Sequence, residues 1–294
     1  MSVELGDGDW RAEFLPELGM LGASVTYRGS ELLALPGGIE AYRDGHTVGL
    51  PLLAPWANRL ARKRFRLEGA EVDLESVADI HVDEDGLPIH GTMTARTGWE
   101  VVRREPQRLT ARFAYDTPEL LAAFPFPHEL EIDVELNGGF RVGTAVTATG
   151  DSAVPVSFGW HPYFRVRDDR GSIVGLPARR HLELDEHGIP TGRGTDEQPS
   201  RTPLGESVYD DLYALGDDRA FALDGFVIHF GAGYPYAQLF APERSDFVAI
   251  EPMTAPTNAL VSGAYPLVRP GERFEAVFSI DGGETSAATP GLAT

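Results

Sequence analysis

The feature that most constrains this chain is a hairpin near its middle. Leu130, Ile132, Val134 and Leu136 alternate with charged or polar neighbours, Asn137-Gly138-Gly139 turns the backbone, and Phe140 to Ala148 alternates again. Side chains two residues apart share one face of a strand, and Asn-Gly supplies the positive φ that a tight turn requires. Shorter pairs repeat the pattern. Phe65-Arg66-Leu67 and Val72-Asp73-Leu74 flank Glu68-Gly69-Ala70; Trp99 to Val102 faces Leu109 to Tyr115; Phe226-Ile228-Phe230 and Phe274-Ala276-Phe278-Ile280 alternate near the end. Helical signal is confined to Thr117-Pro118-Glu119-Leu120-Leu121-Ala122-Ala123-Phe124, where Thr117 suits an N-cap and Pro118 the first helical position. With 33 Gly and 22 Pro spread along the chain, turns are frequent and no linker stands out. The stretch from Gly188 to Gly205, rich in Thr, Gly, Pro and Ser, reads as a long surface loop. The expectation is an all-β chain, residues 1–294 forming one large antiparallel sandwich with few short helices.

Composition then removes whole classes of function. The chain has no cysteine, so it has no disulfide, no thiolate nucleophile and no sulfur-ligated zinc. A formal net charge of −20 opposes binding to nucleic acid or to an anionic membrane, both of which draw affinity from Lys and Arg. Lys63 is the single lysine, so Schiff-base chemistry has one candidate, set in Arg62-Lys63-Arg64 where a surface position is expected. No run of eighteen apolar residues offers a membrane span. Met1 to Trp10 is acidic and polar without a signal-peptide pattern, which makes the cytoplasm the expected location.

Four places stand out from a plain sandwich. Asn58 and Arg59 follow the apolar run from Leu50 to Trp56. His90 sits in Leu87-Pro88-Ile89-His90-Gly91. His161 lies among aromatics in Ser157-Phe158-Gly159-Trp160-His161-Pro162-Tyr163-Phe164. Glu251 closes the apolar strand pattern Phe247-Val248-Ala249-Ile250. Each has an ordinary structural explanation taken singly: a turn histidine, a looped ion pair, a strand end reaching solvent. Together they combine a His and a Glu where burial tunes pKa values with aromatic and hydroxyl-binding side chains suited to a sugar ring. Metal binding by His90, His161 and Glu251 lacks any close-spaced ligand pair. No nucleophile elbow, phosphate loop or dinucleotide fingerprint is present.

In this order the motifs resemble the aldose 1-epimerase, or galactose mutarotase-like, family. The resemblance spans roughly Gly19 to Ile280 and rests on Asn58-Arg59, His90-Gly91, Gly159-Trp160-His161-Pro162-Tyr163-Phe164, Tyr209-Asp210-Asp211-Leu212-Tyr213 and Glu251-Pro252-Met253. The resemblance implies a galactose mutarotase-like supersandwich acting on a free aldose, with no cofactor and no metal, as a monomer or homodimer. It implies His161 as general acid, Glu251 as general base and His90 on the ring-oxygen side. Asn58, Arg59, Asp210, Trp160 and Tyr163 would bind the sugar, Asp210 being preferred to Asp211 because it stands three residues before an aromatic. The run Glu251-Pro252-Met253-Thr254-Ala255-Pro256-Thr257-Asn258 departs from the galactose-specific form and resembles a branch whose sugars are less characterised.

Three other functions compete with a neutral-sugar mutarotase. A hexose-6-phosphate 1-epimerase would clamp phosphate with Arg59, Arg62, Lys63 and Arg64. A non-catalytic carbohydrate sensor would need no acid–base pair. A lyase or glycoside hydrolase on a related sandwich is the third, a hydrolase using Asp210 and Glu251 as its two carboxylates.

Overall fold

The computed structural model describes residues 2–168 and 170–282; the remaining positions of the 1–294 expectation lie outside the described residues. Its architecture is the expected antiparallel sandwich. The central hairpin forms as its alternation predicts, strand His128–Leu136 pairing with strand Phe140–Ala148 from His128↔Ala148 to Leu136↔Phe140. Around it grows a nine-stranded sheet. Strands Arg108–Tyr115 and Glu100–Glu105 extend one side, and strands Arg273–Gly282, Phe226–Phe230, Ala220–Leu223, Ile173–Leu176 and Ser200–Pro203 extend the other.

An eight-stranded sheet packs against it. Its order runs from strand Pro190–Glu197 through Arg179–Leu184, Tyr209–Leu215, Tyr236–Ala241, Phe247–Met253 and Gly159–Trp160 to Leu52–Leu53, with Tyr163–Arg165 also pairing with Phe247–Met253. Rings meet between the layers: Trp160 of one sheet lies 6.1 Å from Phe278 of the other, and Phe158 lies 6.1 Å from Phe274. Each such side chain removed from water contributes about 1.5–3 kcal/mol, so the interlayer core is the main source of stability.

Strand Phe247–Met253 is buried along its whole length, which explains its unbroken apolar pattern. Val248 and Ile250 enter the interlayer core, whereas Phe247 and Met253 pack in small clusters on the outer face. A residue on that outer face is therefore enclosed without belonging to the core.

One expectation about the fold is corrected. The stretch from Gly188 to Gly205 is mostly strand, Pro190–Glu197 and Ser200–Pro203, and not a loop. Most of its side chains are exposed, so no alternation marks it. The polar N-terminus is built into the fold: Val3, Leu5 and Trp10 are buried in a four-stranded sheet made by strands Val3–Asp7, Trp10–Leu15, Leu21–Tyr27 and Ser30–Glu31. Tyr234 is fully buried. The helix Pro118–Ala123 forms with Thr117 at its N-cap position, and helices Gly38–Arg43 and Ala259–Ser262 join it. Among the described residues no helix is long and apolar enough to cross a membrane.

Candidate active site

Strand register brings the acid–base candidates together. The segment carrying His161 runs antiparallel to strand Phe247–Met253, with Gly159 opposite Met253 and Tyr163 opposite Ala249. Midway between those pairs, His161 faces Glu251, and Nε2 stands 3.2 Å from Oε1. Gly159 makes the approach possible, since a Cβ there would lie 2.7 Å from the Pro252 carbonyl oxygen. The backbone N–H of His161 donates to Pro51 and that of Tyr163 to Gly49, fixing the segment on its other side.

Period-two alternation also decides the fate of Trp160. It points away from His161 into the interlayer core, fully buried, where its indole N–H donates to Thr144 Oγ1 at 2.9 Å. The expectation that Trp160 binds sugar is therefore corrected: its neighbour takes the cleft, so it faces the core.

A second pair of segments supplies the opposite wall. Asn58 and His90 both have left-handed backbones, φ 57° and 62°, and the His90 N–H donates to the Asn58 carbonyl at 3.1 Å. Gly91 follows at φ 70°, pressed so closely on Ala54 that a Cβ would meet its carbonyl oxygen at 2.0 Å. Only glycine fits that contact. The Arg59 guanidinium is held by Asp83 at 2.8 Å, by Asn58 Oδ1 at 3.3 Å, and at 3.8 Å by Asp210.

These walls enclose a cavity of about 170 Å³ lined by His161, Glu251, His90, Asn58, Arg59, Asp210 and Tyr163, with Thr47, Ile89, Gln238 and Phe240. Seven of the eight residues expected at the site thus share one cleft. The volume is below the roughly 300–1,000 Å³ of drug-sized pockets and suits one small polar ring. Tyr163 stacks on the His161 imidazole, centroids 4.3 Å apart and planes 8° from parallel, while its hydroxyl bonds Thr47 Oγ1 at 2.6 Å and lies 3.4 Å from His161 Nε2. Asp211 does not line the cleft; its carboxylate accepts from the Tyr213 hydroxyl and pairs with His181, each at 3.2 Å.

Gln238 escaped the sequence reading. It lies directly opposite Glu251 across the sheet, and its amide N–H donates to Asp210 at 2.6 Å. The signal was present: Gln238 is the sole polar side chain with hydrogen-bonding capacity in the otherwise apolar Ala237-Gln238-Leu239-Phe240-Ala241.

Burial sets the electrostatics. It pushes His161 down to about 3 and drives His90 well below the ordinary histidine range, the latter helped by His161, His81 and Arg59. Glu251 is held well above the usual carboxylate range, first by burial and then by Asp210, with Arg59 pulling the other way. Low dielectric therefore favours an uncharged His161–Glu251 pair holding a single proton. Among the described residues eleven buried side-chain polar atoms have no hydrogen-bond partner, and four of them gather on cleft residues: Glu251 Oε2, His161 Nδ1, His90 Nδ1 and Gln238 Oε1. Buried polar atoms are usually satisfied, so four converging on one cleft suit a hydroxyl-rich ligand. Among the described residues no three His, Asp or Glu side chains group to hold a metal ion.

Residues 21–281 match the family described as aldose 1-epimerase. The uncharacterised protein YihR of Escherichia coli (strain K12) is 26% identical over 283 residues, covering 89% of this chain and 86% of that protein. The fold is similar to that of Slr1438 from Synechocystis sp. PCC 6803, with TM-score 0.78 and 24% identity over 96% of this chain and 95% of that one. The GalM/aldose epimerase homologue from C. elegans superposes with TM-score 0.80 at 16% identity, covering 96% of this chain and 98% of its own.

Proposed function

Because this chain belongs to the aldose 1-epimerase family, we propose that it interconverts the α and β anomers of a free, uncharged aldose by acid–base ring opening. The observation that carries this reading is the register that sets His161 Nε2 3.2 Å from Glu251 Oε1 inside a cleft lined by hydroxyl-binding groups.

The chemistry requires one proton to leave the anomeric hydroxyl O1 and one to reach the ring oxygen O5 as C1–O5 breaks. The neutral pair and its ion-pair form, carboxylate beside imidazolium, contain the same single proton. Arg59 favours the second form by lowering the cost of ionising Glu251. In that form Glu251 accepts the O1 proton and His161 Nε2 donates to O5, which leaves an open aldehyde. Rotation about C1–C2 presents the other carbonyl face. Closure reverses both transfers: O5 adds to C1 and returns its proton to His161, and O1 regains a proton from Glu251. Charge and proton count are the same before and after, so no further reactant is needed. Asn58, Arg59, Asp210 and Gln238 hold the remaining hydroxyls, and Tyr163 keeps the imidazole in plane. Positioned acid and base groups each contribute about 10²–10⁴-fold.

The cleft favours a neutral sugar over a sugar phosphate. Arg59 is its one lining cation among the described residues, and it is already paired with Asp83 and near Asp210. Arg64, a candidate phosphate clamp, is paired with Asp73 and Glu75 instead, and neither it nor Arg62 lines the cleft. An added phosphate would meet Asp210 and Glu251 without a free counter-charge.

Saturation-transfer NMR across free aldoses and their 6-phosphates tests the proposal. Anomer exchange accelerated for a neutral aldose, and lost in His161→Ala and Glu251→Gln, is the expected result. Saturable binding with no accelerated exchange would make the protein a sugar sensor and end the catalytic reading.

A further inference from the structure

Two short segments, far apart in sequence, share one pattern. Asp83-Glu84-Asp85-Gly86-Leu87 shortly precedes His90, and Asp185-Glu186-His187-Gly188-Ile189 joins the edge strands Arg179–Leu184 and Pro190–Glu197. Each reads Asp-Glu-X-Gly-aliphatic, and each closes in the same way. The aspartate N–H donates to the carbonyl of the aliphatic residue, at 3.0 Å in the first turn and 2.9 Å in the second. The glycine N–H donates to the aspartate carbonyl at 3.0 Å in both. The aspartate Oδ1 accepts from the N–H of the third residue at 3.0 Å and from that of the fifth at 2.9 Å, again in both. The glycines stand at φ 76° and 73°, the left-handed region that favours glycine.

The twin turns meet at Arg59. Their third residues pair, His187 Nδ1 standing 2.9 Å from Asp85 Oδ2. Asp83 of the first turn accepts the Arg59 Nε–H on its other oxygen, Oδ2, at 2.8 Å. Gly188 of the second closes on the same guanidinium: a Cβ there would lie 3.2 Å from Nη1 and 3.5 Å from Cδ and Cζ. Gly86, its counterpart in the first turn, has nothing within 4 Å of its Cβ position. One turn therefore holds Arg59 by charge, the other crowds it with bare backbone, and the exposed His187–Asp85 pair joins the two. Arg59 lines the cleft, whereas no residue of either turn does.

We infer that the paired turns are a clamp that positions Arg59 for the sugar, with Gly188 and His187 acting through the guanidinium and not on the substrate. The consequence for catalysis rests on the mutarotase reading above. An arginine side chain turns about several bonds, and fixing it before the sugar arrives removes an ordering cost from binding. Without the second turn Arg59 keeps Asp83 as an anchor, so its field on Glu251 persists while its aim at a hydroxyl is lost. Binding lost equally from ground and transition states raises KM and leaves kcat alone. Gly188 and His187 are thus positioning residues, and the acid–base pair works without touching them.

The twin glycines supply the test. Gly188→Ala and Gly86→Ala force alanine into nearly the same backbone, and only the first adds a methyl against Arg59. Saturation transfer with glucose and galactose should show KM raised about tenfold in Gly188→Ala, as for one lost hydrogen bond from a charged donor, with kcat little changed. Gly86→Ala should stay close to wild type. His187→Ala removes an exposed ion pair and leaves its turn closed by Asp185, so KM should rise about threefold. A readout without sugar runs beside these: hydrogen exchange of the Arg59 Nε–H, assigned by its loss in Arg59→Lys, should quicken in Gly188→Ala and His187→Ala but not in Gly86→Ala. Equal KM changes in the two glycine variants, or an unaltered Nε–H exchange rate in Gly188→Ala, overturn the inference and leave the mutarotase reading standing. Quickened Nε–H exchange, with no anomer exchange in any protein including wild type, supports the clamp and overturns the mutarotase reading instead.

Discussion

His128 and His161 are near twins in environment, yet the proposed mechanism uses only one of them. Both are buried, both stack on a tyrosine (Tyr115 at 4.6 Å, Tyr163 at 4.3 Å), and burial pushes both pKa values far down, to about 4 and about 3. Phenylalanines crowd each. Yet His128 Nδ1 bonds the Phe126 carbonyl at 2.7 Å, inside the fold, whereas His161 Nε2 faces a buried carboxyl across a cleft. Aromatic packing and a perturbed pKa therefore do not identify a catalytic histidine. A titrating partner within reach and a space for the reacting atoms do.

The sharpest way to break this comparison is to exchange the outcomes. Glu251→Gln removes the partner and should lower kcat by about 10²–10⁴-fold, while His128→Phe should leave anomer exchange at neutral pH unaltered. Polarimetry on a freshly dissolved anomer reads both. A loss of exchange in His128→Phe would show that the packing, not the partner, carries the activity.

Acid stability should separate the two next. Folding holds His128 near 4 against an ordinary value of 6.5. The folded protein thus binds fewer protons than the unfolded chain between these values. The His128 contribution to stability is complete above pH 6.5 and is lost as pH falls towards 4. The difference amounts to about 3 kcal/mol. Urea titrations at pH 7 and pH 4 should show His128→Phe losing about that much less than wild type over the interval. Equal losses would mean that His128 is protonated in the fold.

Smaller effects sharpen the site itself. Asp210→Asn should raise KM about tenfold, about 1.4 kcal/mol, with kcat little changed. Asp211→Asn, whose carboxylate serves Tyr213 and His181, should leave steady-state kinetics near wild type. Smallest of all, Tyr115→Phe should cost about 1 kcal/mol of stability without altering exchange, and Tyr163→Phe about the same free energy as a modest loss of kcat. Thermal melts paired with exchange rates distinguish them.

The sequence shows these regions unevenly, for physical reasons. The central hairpin was legible because one face of each strand is buried and Asn137-Gly138 permits a single kind of turn. Helices Gly38–Arg43 and Ala259–Ser262 are too short for a 3.6-residue period to register. Strand Pro190–Glu197 is exposed on both faces, so it reads as loop. Within the site, the motifs around Asn58, His90, His161 and Glu251 mark the cleft. Alternation sends Trp160 to the core beside a cleft-facing His161, a side that composition alone does not reveal. Gln238 belongs to no motif, and its role emerges from pairing with a strand more than ten positions away.

The pairing of Tyr163 with Ala249 also ties folding fidelity to the proposed activity. Slipping strand Phe247–Met253 by one residue would bring Ile250 or Pro252 into the cleft and turn Glu251 towards the core, because side-chain direction alternates at every position. A compact but misregistered chain would then be silent in an exchange assay however native its spectrum. During refolding, recovered specific activity therefore counts molecules with the correct strand register, a quantity that bulk measures of secondary structure average away.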